Sequence, residues 1–232
     1  MSGKLQDKVA LITGASSGIG AAVAKRFAAE GAHVILVARS VGGLEEVDDE
    51  IQNAGGSATL VPLDLLDTAA IDGLAMPLYE RWKKLDILVG NAGMVGKLMP
   101  TQQYVPELWD DVFKLNVHAN WRLIRAVDPL LRQSEAGRAL FVTSSIAHEN
   151  KQFWSAYAAS KAALETIAKT YAHEVAKTNV KVNLIDPGPT RTRLRAVAYP
   201  AENPEDHPLP ETKVQMFLDA VLSEENGALF KA

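Results

Sequence analysis

Tyr157 and Lys161 stand four positions apart in Tyr157-Ala158-Ala159-Ser160-Lys161, so on a helix they share one face. A phenol beside a permanent cation can carry protons near neutral pH. Free tyrosine titrates near ~10, and a close positive charge favours the phenolate by about 1–3 units. The same spacing describes many exposed helix pairs, so its meaning depends on what surrounds it. Leu140-Phe141-Val142-Thr143-Ser144-Ser145 reads as a strand ending in hydroxyls, with Ser144 thirteen residues before Tyr157. A serine there can hydrogen-bond a carbonyl or an alcohol while Tyr157 moves its proton, or it can simply turn the chain.

These side chains need a frame. Val9-Ala10-Leu11-Ile12 is a short β-branched, apolar run, which predicts a buried strand. It enters Thr13-Gly14-Ala15-Ser16-Ser17-Gly18-Ile19-Gly20, and a helical pattern follows with Ala22, Val23, Phe27 and Ala28 on one side. Strand, glycine-rich turn and helix together aim free backbone N–H groups and a positive helix end at a pyrophosphate. Gly14 permits the sharp turn, and Gly18 and Gly20 permit close approach. The spacing is not G-x-G-x-x-G, and an ordinary βα turn with spare glycines is the competing reading. A second strand pattern, Leu85-Asp86-Ile87-Leu88-Val89-Gly90, ends in the small residues Asn91-Ala92-Gly93. In an open α/β sheet, ligands lie just beyond the carboxyl ends of the strands.

The strand His33-Val34-Ile35-Leu36-Val37 ends in Ala38-Arg39-Ser40. A site selective for NAD usually places an acid here, to accept bonds from both ribose hydroxyls. Arg39 instead offers a guanidinium able to make two charge-assisted bonds to a 2′-phosphate. Its residues therefore predict NADP(H) as the preferred cofactor, with NAD(H) also accepted.

Taken in order, these segments resemble the short-chain dehydrogenase/reductase family in its classical form. The likeness runs from Asp7 to about Thr192: T-G-x-x-x-G-x-G, N-A-G, Asn116 in Lys114-Leu115-Asn116-Val117, Ser144, Y-x-x-x-K and Pro187-Gly188-Pro189-Thr190. It also looks like a proteobacterial branch of mostly unassigned substrate. The resemblance implies a single-domain Rossmann fold over residues 1–232, with a doubly wound parallel sheet and helices on both faces. It implies a catalytic tetrad of Asn116, Ser144, Tyr157 and Lys161. Ser144 is preferred to Ser145 on the family's usual interval to the tyrosine. By the same resemblance Lys161 lowers the Tyr157 pKa and holds the nicotinamide ribose, and Asn116 belongs to a water relay. Cofactor contacts are implied for Gly14, Ser16, Ser17, Gly18, Ile19, Gly20, Arg39, Asp64, Asn91, Ala92, Gly93, Tyr157, Lys161, Pro187, Gly188 and Thr190. Ala38 takes the place of the family's NAD-selecting aspartate, and Ser17 stands where many NADP-using relatives carry a second basic residue. Asp64 has a competing reading as a helix N-cap.

The expected activity is NAD(P)(H)-dependent interconversion of a carbonyl and a secondary alcohol, as a ketone, aldehyde or 3-oxoacyl-type reductase. A non-catalytic nucleotide-binding or sensor protein on the same fold is the alternative. The family's two long helices map to Glu107–Val127 and Ser155–Ala176. The apolar residues Leu164, Ile167, Ala168 and Tyr171 on the second predict a homodimer or homotetramer. There are departures from the family. Gly90 replaces the first Asn of a common Asn-Asn-Ala-Gly, which should weaken one local hydrogen bond. The ending Gly227-Ala228-Leu229-Phe230-Lys231-Ala232 is short, which leaves the length of a last strand open.

Six strand-like runs, near Val9–Ile12, His33–Val37, Ala58–Pro62, Ile87–Val89, Ala139–Val142 and Val180–Ile185, alternate with helical patterns. This predicts a parallel sheet covered on both faces. Four prolines within Tyr199–Pro210 rule out a continuous helix there, and Thr190–Pro210 reads as a mobile loop over the substrate. Phe153 and Trp154 are either pocket walls or core aromatics beside a helix start. His148 is a candidate substrate contact or a solvated loop residue. Arg191, Arg193 and Arg195 either greet an anionic substrate or lie in solvent. The 232 residues are 47% hydrophobic and 22% charged, with net charge −4. That is enough chain for a core, and it offers no basic field for nucleic acid. There is no cysteine, which removes disulfides, thiol catalysis and cysteine-based zinc sites, and no metal site is expected. No apolar run reaches the ~18–20 residues that span a bilayer. The polar start, Met1 to Asp7, is unlike a signal peptide. A small-molecule substrate and a cytoplasmic location are therefore expected.

Overall fold

Unbroken aliphatic runs, rather than alternating ones, become the strands, as expected where both faces of a sheet are covered. The computed structural model describes residues 3–232; Met1 and Ser2, part of the polar start, lie outside the described residues. Seven strands form: β1 (Val9–Thr13), β2 (His33–Ala38), β3 (Ser57–Pro62), β4 (Ile87–Gly90), β5 (Arg138–Val142), β6 (Lys181–Asp186) and β7 (Leu229–Lys231). Their order is β3-β2-β1-β4-β5-β6-β7, and every pairing is parallel. The helices are α1 (Gly18–Ala29), α2 (Val41–Asn53), α3 (Thr68–Asp72), α4 (Ala75–Trp82), α5 (Pro106–Phe113), α6 (Ala119–Gln133), α7 (Ile146–Glu149), α8 (Ser155–Glu174), α9 (Arg193–Ala198) and α10 (Val214–Leu222).

One apolar cluster joins α1, α2 and α10 to one sheet face through Phe27, Leu44, Ile51 and Phe217. A second joins α6 and α8 to the other face through Leu123, Val127, Leu164 and Tyr171. Full burial of each such side chain stabilises by roughly 1.5–3 kcal/mol. The sheet is thus doubly wound. The strand order reverses at β1 and β4, so a crevice opens beyond their carboxyl ends.

Three features differ from the sequence reading, and a fourth settles a point it left open. The helix expected over 107–127 is broken by a π-helical turn, Lys114–His118, which separates α5 from α6. Such single π turns gather at functional sites, and a one-residue excess per turn barely disturbs hydrophobic periodicity. The apolar side of α8 does not wait for a partner, because Leu164, Ala168 and Tyr171 bury themselves against the chain's own sheet. The segment read as a loop holds α9 and the 3₁₀ turn Pro204–Asp206; its prolines sit outside the helix, and Pro204 and Pro210 begin 3₁₀ turns. The ending does form a strand, since Leu229 and Phe230 pair with Leu184 and Ile185.

Candidate active site

The glycine turn lies between β1 and α1 at the crevice. Gly14 and Gly18 have φ of +66° and +56°, the left-handed region that an L side chain resists. Gly20 is needed for packing, because a Cβ there would lie 2.3 Å from the Gly14 carbonyl oxygen. The amides of Ser16, Ser17, Gly18, Ile19 and Gly20 take no part in the turn, cap or side-chain bonds among the described residues. Five successive free donors at a helix start fit a pyrophosphate. Thr13 ties this turn to β4: its hydroxyl accepts from the amides of Asn91 and Ala92 at 3.0 Å each, and its carbonyl accepts from Asn91 Nδ2 at 2.8 Å. The Asn91 side chain is therefore a tether within the cradle.

Arg39 follows β2 with its side chain 67% exposed, and its guanidinium is 4.0 Å from Asp64. That loose, exposed contact leaves the cation free for an incoming anion. Ser40 caps α2, accepting from the Gly43 amide at 3.2 Å. Gly43 in turn packs against Ser16, where a Cβ would come within 3.1 Å, so Arg39 and Ser40 stand beside the glycine turn. Asp64 is not the cap of the following helix. It accepts from the Leu66 amide in a local turn, while Asp67 caps α3 through the Ala69 and Ala70 amides.

Tyr157 and Lys161 share α8, and both are buried. Lys161 Nζ lies 5.7 Å from the Tyr157 ring centroid and donates to the Val142 carbonyl at 2.8 Å, which fixes α8 to the end of β5. Gly93 leaves room for this cation: a Cβ there would lie 3.4 Å from Lys161 Nζ and 3.2 Å from Asn116 Oδ1. Asn116 sits in the π turn. Its Oδ1 accepts from the Met94 amide, and its Nδ2 donates to the Met94 carbonyl and to Ser160 Oγ, each at 2.9 Å. The side chain thus stitches the turn after β4 to α8. Ser144 lies at the end of β5 beside Tyr157, whereas Ser145 turns away to bond Glu149 at 2.5 Å.

The electrostatics correct one expectation. Burial pushes the Tyr157 phenol up to about 12, with the Ser144 hydroxyl opposing the rise and Asp186 adding to it. Burial pulls Lys161 down to about 8, and the charges of Asp186 and Glu165 resist. A lowered phenol was expected from the Lys161 charge. Desolvation dominates instead, and the ammonium spends its bond on a backbone carbonyl.

Pro187, Gly188 and Thr190 follow β6. Thr190 is buried and donates to the Gly188 carbonyl at 3.1 Å. Asp186, the residue before them, is buried and accepts from the Gly188 amide at 3.1 Å. Sequence reasoning passed over it, although an acid closing the strand run Val182-Asn183-Leu184-Ile185 is itself a signal. Glu165 was also missed: it is a buried acid one helical turn beyond Lys161. Trp154 lies edge-on to Tyr157, with centroids 5.8 Å apart, and also packs on Tyr199. Phe153 is half exposed at a φ of +71°. His148 bonds Glu165 at 2.9 Å. Arg195 pairs with Glu202 at 2.7 and 2.8 Å, Arg191 reaches the carbonyls of His207 and Glu205, and Arg193 is exposed.

Gly90 has a structural counterpart in Asn120. A Cβ at position 90 would fall 2.4 Å from Asn120 Oδ1. Asn120 Nδ2 donates to the Asn116 carbonyl at 2.8 Å, so a hydrogen bond at this corner comes from α6 rather than from β4.

Comparison with known proteins agrees over the whole chain. The family model described as short chain dehydrogenase matches residues 8–203. The uncharacterised oxidoreductase YciK of Escherichia coli is 37% identical over 217 residues, covering 92% of this chain and 86% of that protein. A short chain dehydrogenase from Shigella flexneri, complexed with NADP, superposes with a TM-score of 0.95 at 34% identity, over 100% of this chain and 99% of that one. Another from Escherichia coli, complexed with NADPH, gives 0.93 at 34% identity, over 100% and 98%.

Proposed function

The chain belongs to the short-chain dehydrogenase family, and from that premise we propose that it is an NADP(H)-dependent oxidoreductase interconverting a carbonyl and a secondary alcohol. The observation that carries the reading is the meeting of Tyr157, Lys161 and Ser144 at the strand ends, beside a glycine turn with free amides. The nicotinamide, when bound, supplies or accepts the hydride. The free amides of Ser16–Gly20 hold the pyrophosphate, Arg39 takes the 2′-phosphate, and Asp64, Gly93, Pro187, Gly188 and Thr190 line the rest of the cofactor path. In reduction, Tyr157 Oη passes its proton to the oxygen of the carbonyl as that oxygen becomes an alkoxide, and Ser144 Oγ donates to the same oxygen and orients it. Lys161, charged below about pH 8, stabilises the phenolate left behind. A phenol that burial keeps protonated supports the reductive direction.

Val95, Ile146, Trp154 and Ala198 enclose Tyr157 in an apolar cluster. This supports a ketone, aldehyde or 3-oxoacyl-type substrate with apolar flanks over a polyol. No helix among the described residues is long and apolar enough to cross a membrane. A reductase drawing on NADPH works where that pool lies, so the cytoplasm is the proposed location.

The test is turnover of aliphatic and aromatic ketones and aldehydes with NADPH and with NADH. NADPH-dependent reduction is expected. Tyr157→Phe should lower kcat by about 10²–10⁴ with little change in cofactor affinity, and Arg39→Ala should weaken NADPH far more than NADH. Tight cofactor binding with no turnover across the panel would leave a binding or sensor protein. Equal affinity for the two cofactors would overturn the role given to Arg39.

A further inference from the structure

Thr143 and His148 flank the turn that carries Ser144, and both bond to one carboxylate. Glu165 is 3% exposed and lies on α8, one turn beyond Lys161. Its Oε1 accepts from Thr143 Oγ1 at 2.7 Å, and its Oε2 accepts from His148 Nε2 at 2.9 Å. Lys169, a further turn along, brings its ammonium to 3.6 Å. Ser144 itself has a weak anchor, a 3.4 Å contact from the Ile146 amide. We infer that Glu165 is a positioning residue: its buried carboxylate clamps the Ser144 turn onto the helix that carries Tyr157 and Lys161. The catalytic meaning of this clamp rests on the reductase reading above.

A buried carboxylate is costly unless its lone pairs are used, and here both oxygens are spent on the two sides of one turn. Burial pushes the Glu165 carboxyl up, but the bonds from Thr143 and His148 and the nearby Lys169 outweigh it, leaving the group ionised at neutral pH. The titratable groups facing it are the His148 imidazole from α7 and Lys161 and Lys169 from α8; Asp186, from β6, acts on the same Lys161. The clamp holds three groups in one frame, since Tyr157 and Lys161 already ride on α8. Ser144 comes from a different element, and an error of about 1 Å in such a group can cost on the order of 10²-fold in rate.

Two readouts test this, and the first needs no activity. The amides of Ala147 and His148 bond to the Ser144 and Ser145 carbonyls. In Glu165→Ala, hydrogen exchange across residues 143–149 should accelerate at least about tenfold, with β1 and β4 unchanged. Glu165→Gln keeps an acceptor for Thr143 and a partner for the imidazole, and should restore most of the protection. Thr143→Val removes one of the two bonds and should show a smaller effect. It also decides the question should Glu165→Ala fail to fold. Unchanged exchange in the folded variant overturns the clamp, whether or not the wild type turns over any carbonyl. The second readout is a double-mutant cycle. Glu165→Ala should lower kcat about tenfold with NADPH affinity unchanged, yet cost less than about twofold in a Ser144→Ala background. Equal losses in both backgrounds would mean that Glu165 does not act through Ser144.

Discussion

At the residue scale, the proposed proton donor, Tyr157, is defined by the charges held around it. Lys161, pulled down to about 8, keeps its proton below that pH, and Asp186 and Glu165 are what hold it even there. Asp186 also raises the Tyr157 phenol. Neutralising Asp186 therefore lets both groups lose their protons at lower pH. In Asp186→Asn, which keeps an oxygen for the Gly188 amide, the alkaline limb of the carbonyl-reduction profile should move below its wild-type position near pH 8. Stopped-flow rates between about pH 6 and 10 would show it, and a limb that stays in place would mean that Asp186 does not face the donor. The types and spacing of Tyr157, Lys161 and Ser144 were legible in the sequence because i, i+4 spacing and strand-end position are local facts. The direction of the phenol's shift was not. It is set by desolvation in the cluster of Val95, Ile146, Trp154 and Ala198, of which Val95 and Ala198 lie far away in sequence. Glu165 escaped for the same reason, since an acid's burial on a helix is invisible until the helix is packed; Asp186 was readable as the acid that closes a strand run and was passed over.

At the element scale, the site depends on how the end of β4 meets the π turn before α6. The sequence showed the strands well, because runs such as Val9–Ile12 and Ile87–Val89 are buried on both faces and need no periodicity to read. The π turn and α9 were not legible, one being a single-residue excess inside a helical pattern and the other six residues long beside a proline-rich stretch. The missing side chain at Gly90 looked like a lost hydrogen bond. In the fold it is the space that Asn120 uses. Gly90→Asn would drive a Cβ to 2.4 Å from Asn120 Oδ1 and 2.6 Å from Phe141 Cδ1. Overpacking of this kind costs about 1–3 kcal/mol, or a fall in Tm of roughly 2–4 °C per kcal/mol for a chain of this size. Pairing it with Asn120→Gly should recover part of the loss in urea denaturation, because one of the two clashes disappears. Strict additivity of the two changes would show that the positions are independent.

At the scale of the whole molecule, the question is which face meets a second copy. The sequence pointed to two helical segments, 107–127 and 155–176, and of these the apolar side of α8 is consumed by the chain's own sheet. The first of those segments, now α5 and α6, keeps an exposed aromatic surface. Trp109 stacks on Phe113 with centroids 5.3 Å apart, Tyr104 meets Trp109 edge-on, and Trp121 stands 47% exposed beside them with Leu108. Trp109, Phe113 and Trp121 line one groove together with Asp110, Lys114, His118 and Arg122. Aromatic side chains set among charged ones are a common composition of protein interfaces, and exposed tryptophans in that setting carry a large share of association energy. The expected assembly is therefore a homodimer closed through α5 and α6. In sedimentation equilibrium at micromolar concentration the wild type should run as a dimer or a multiple of one. Trp121→Ser should raise the dissociation constant by about 30-fold, the equivalent of a 2 kcal/mol contact, while the equivalent change at exposed Phe153, on the other side of the Tyr157 cluster, should leave it unchanged. A monomeric wild type, or a dimer indifferent to Trp121, would place the interface elsewhere.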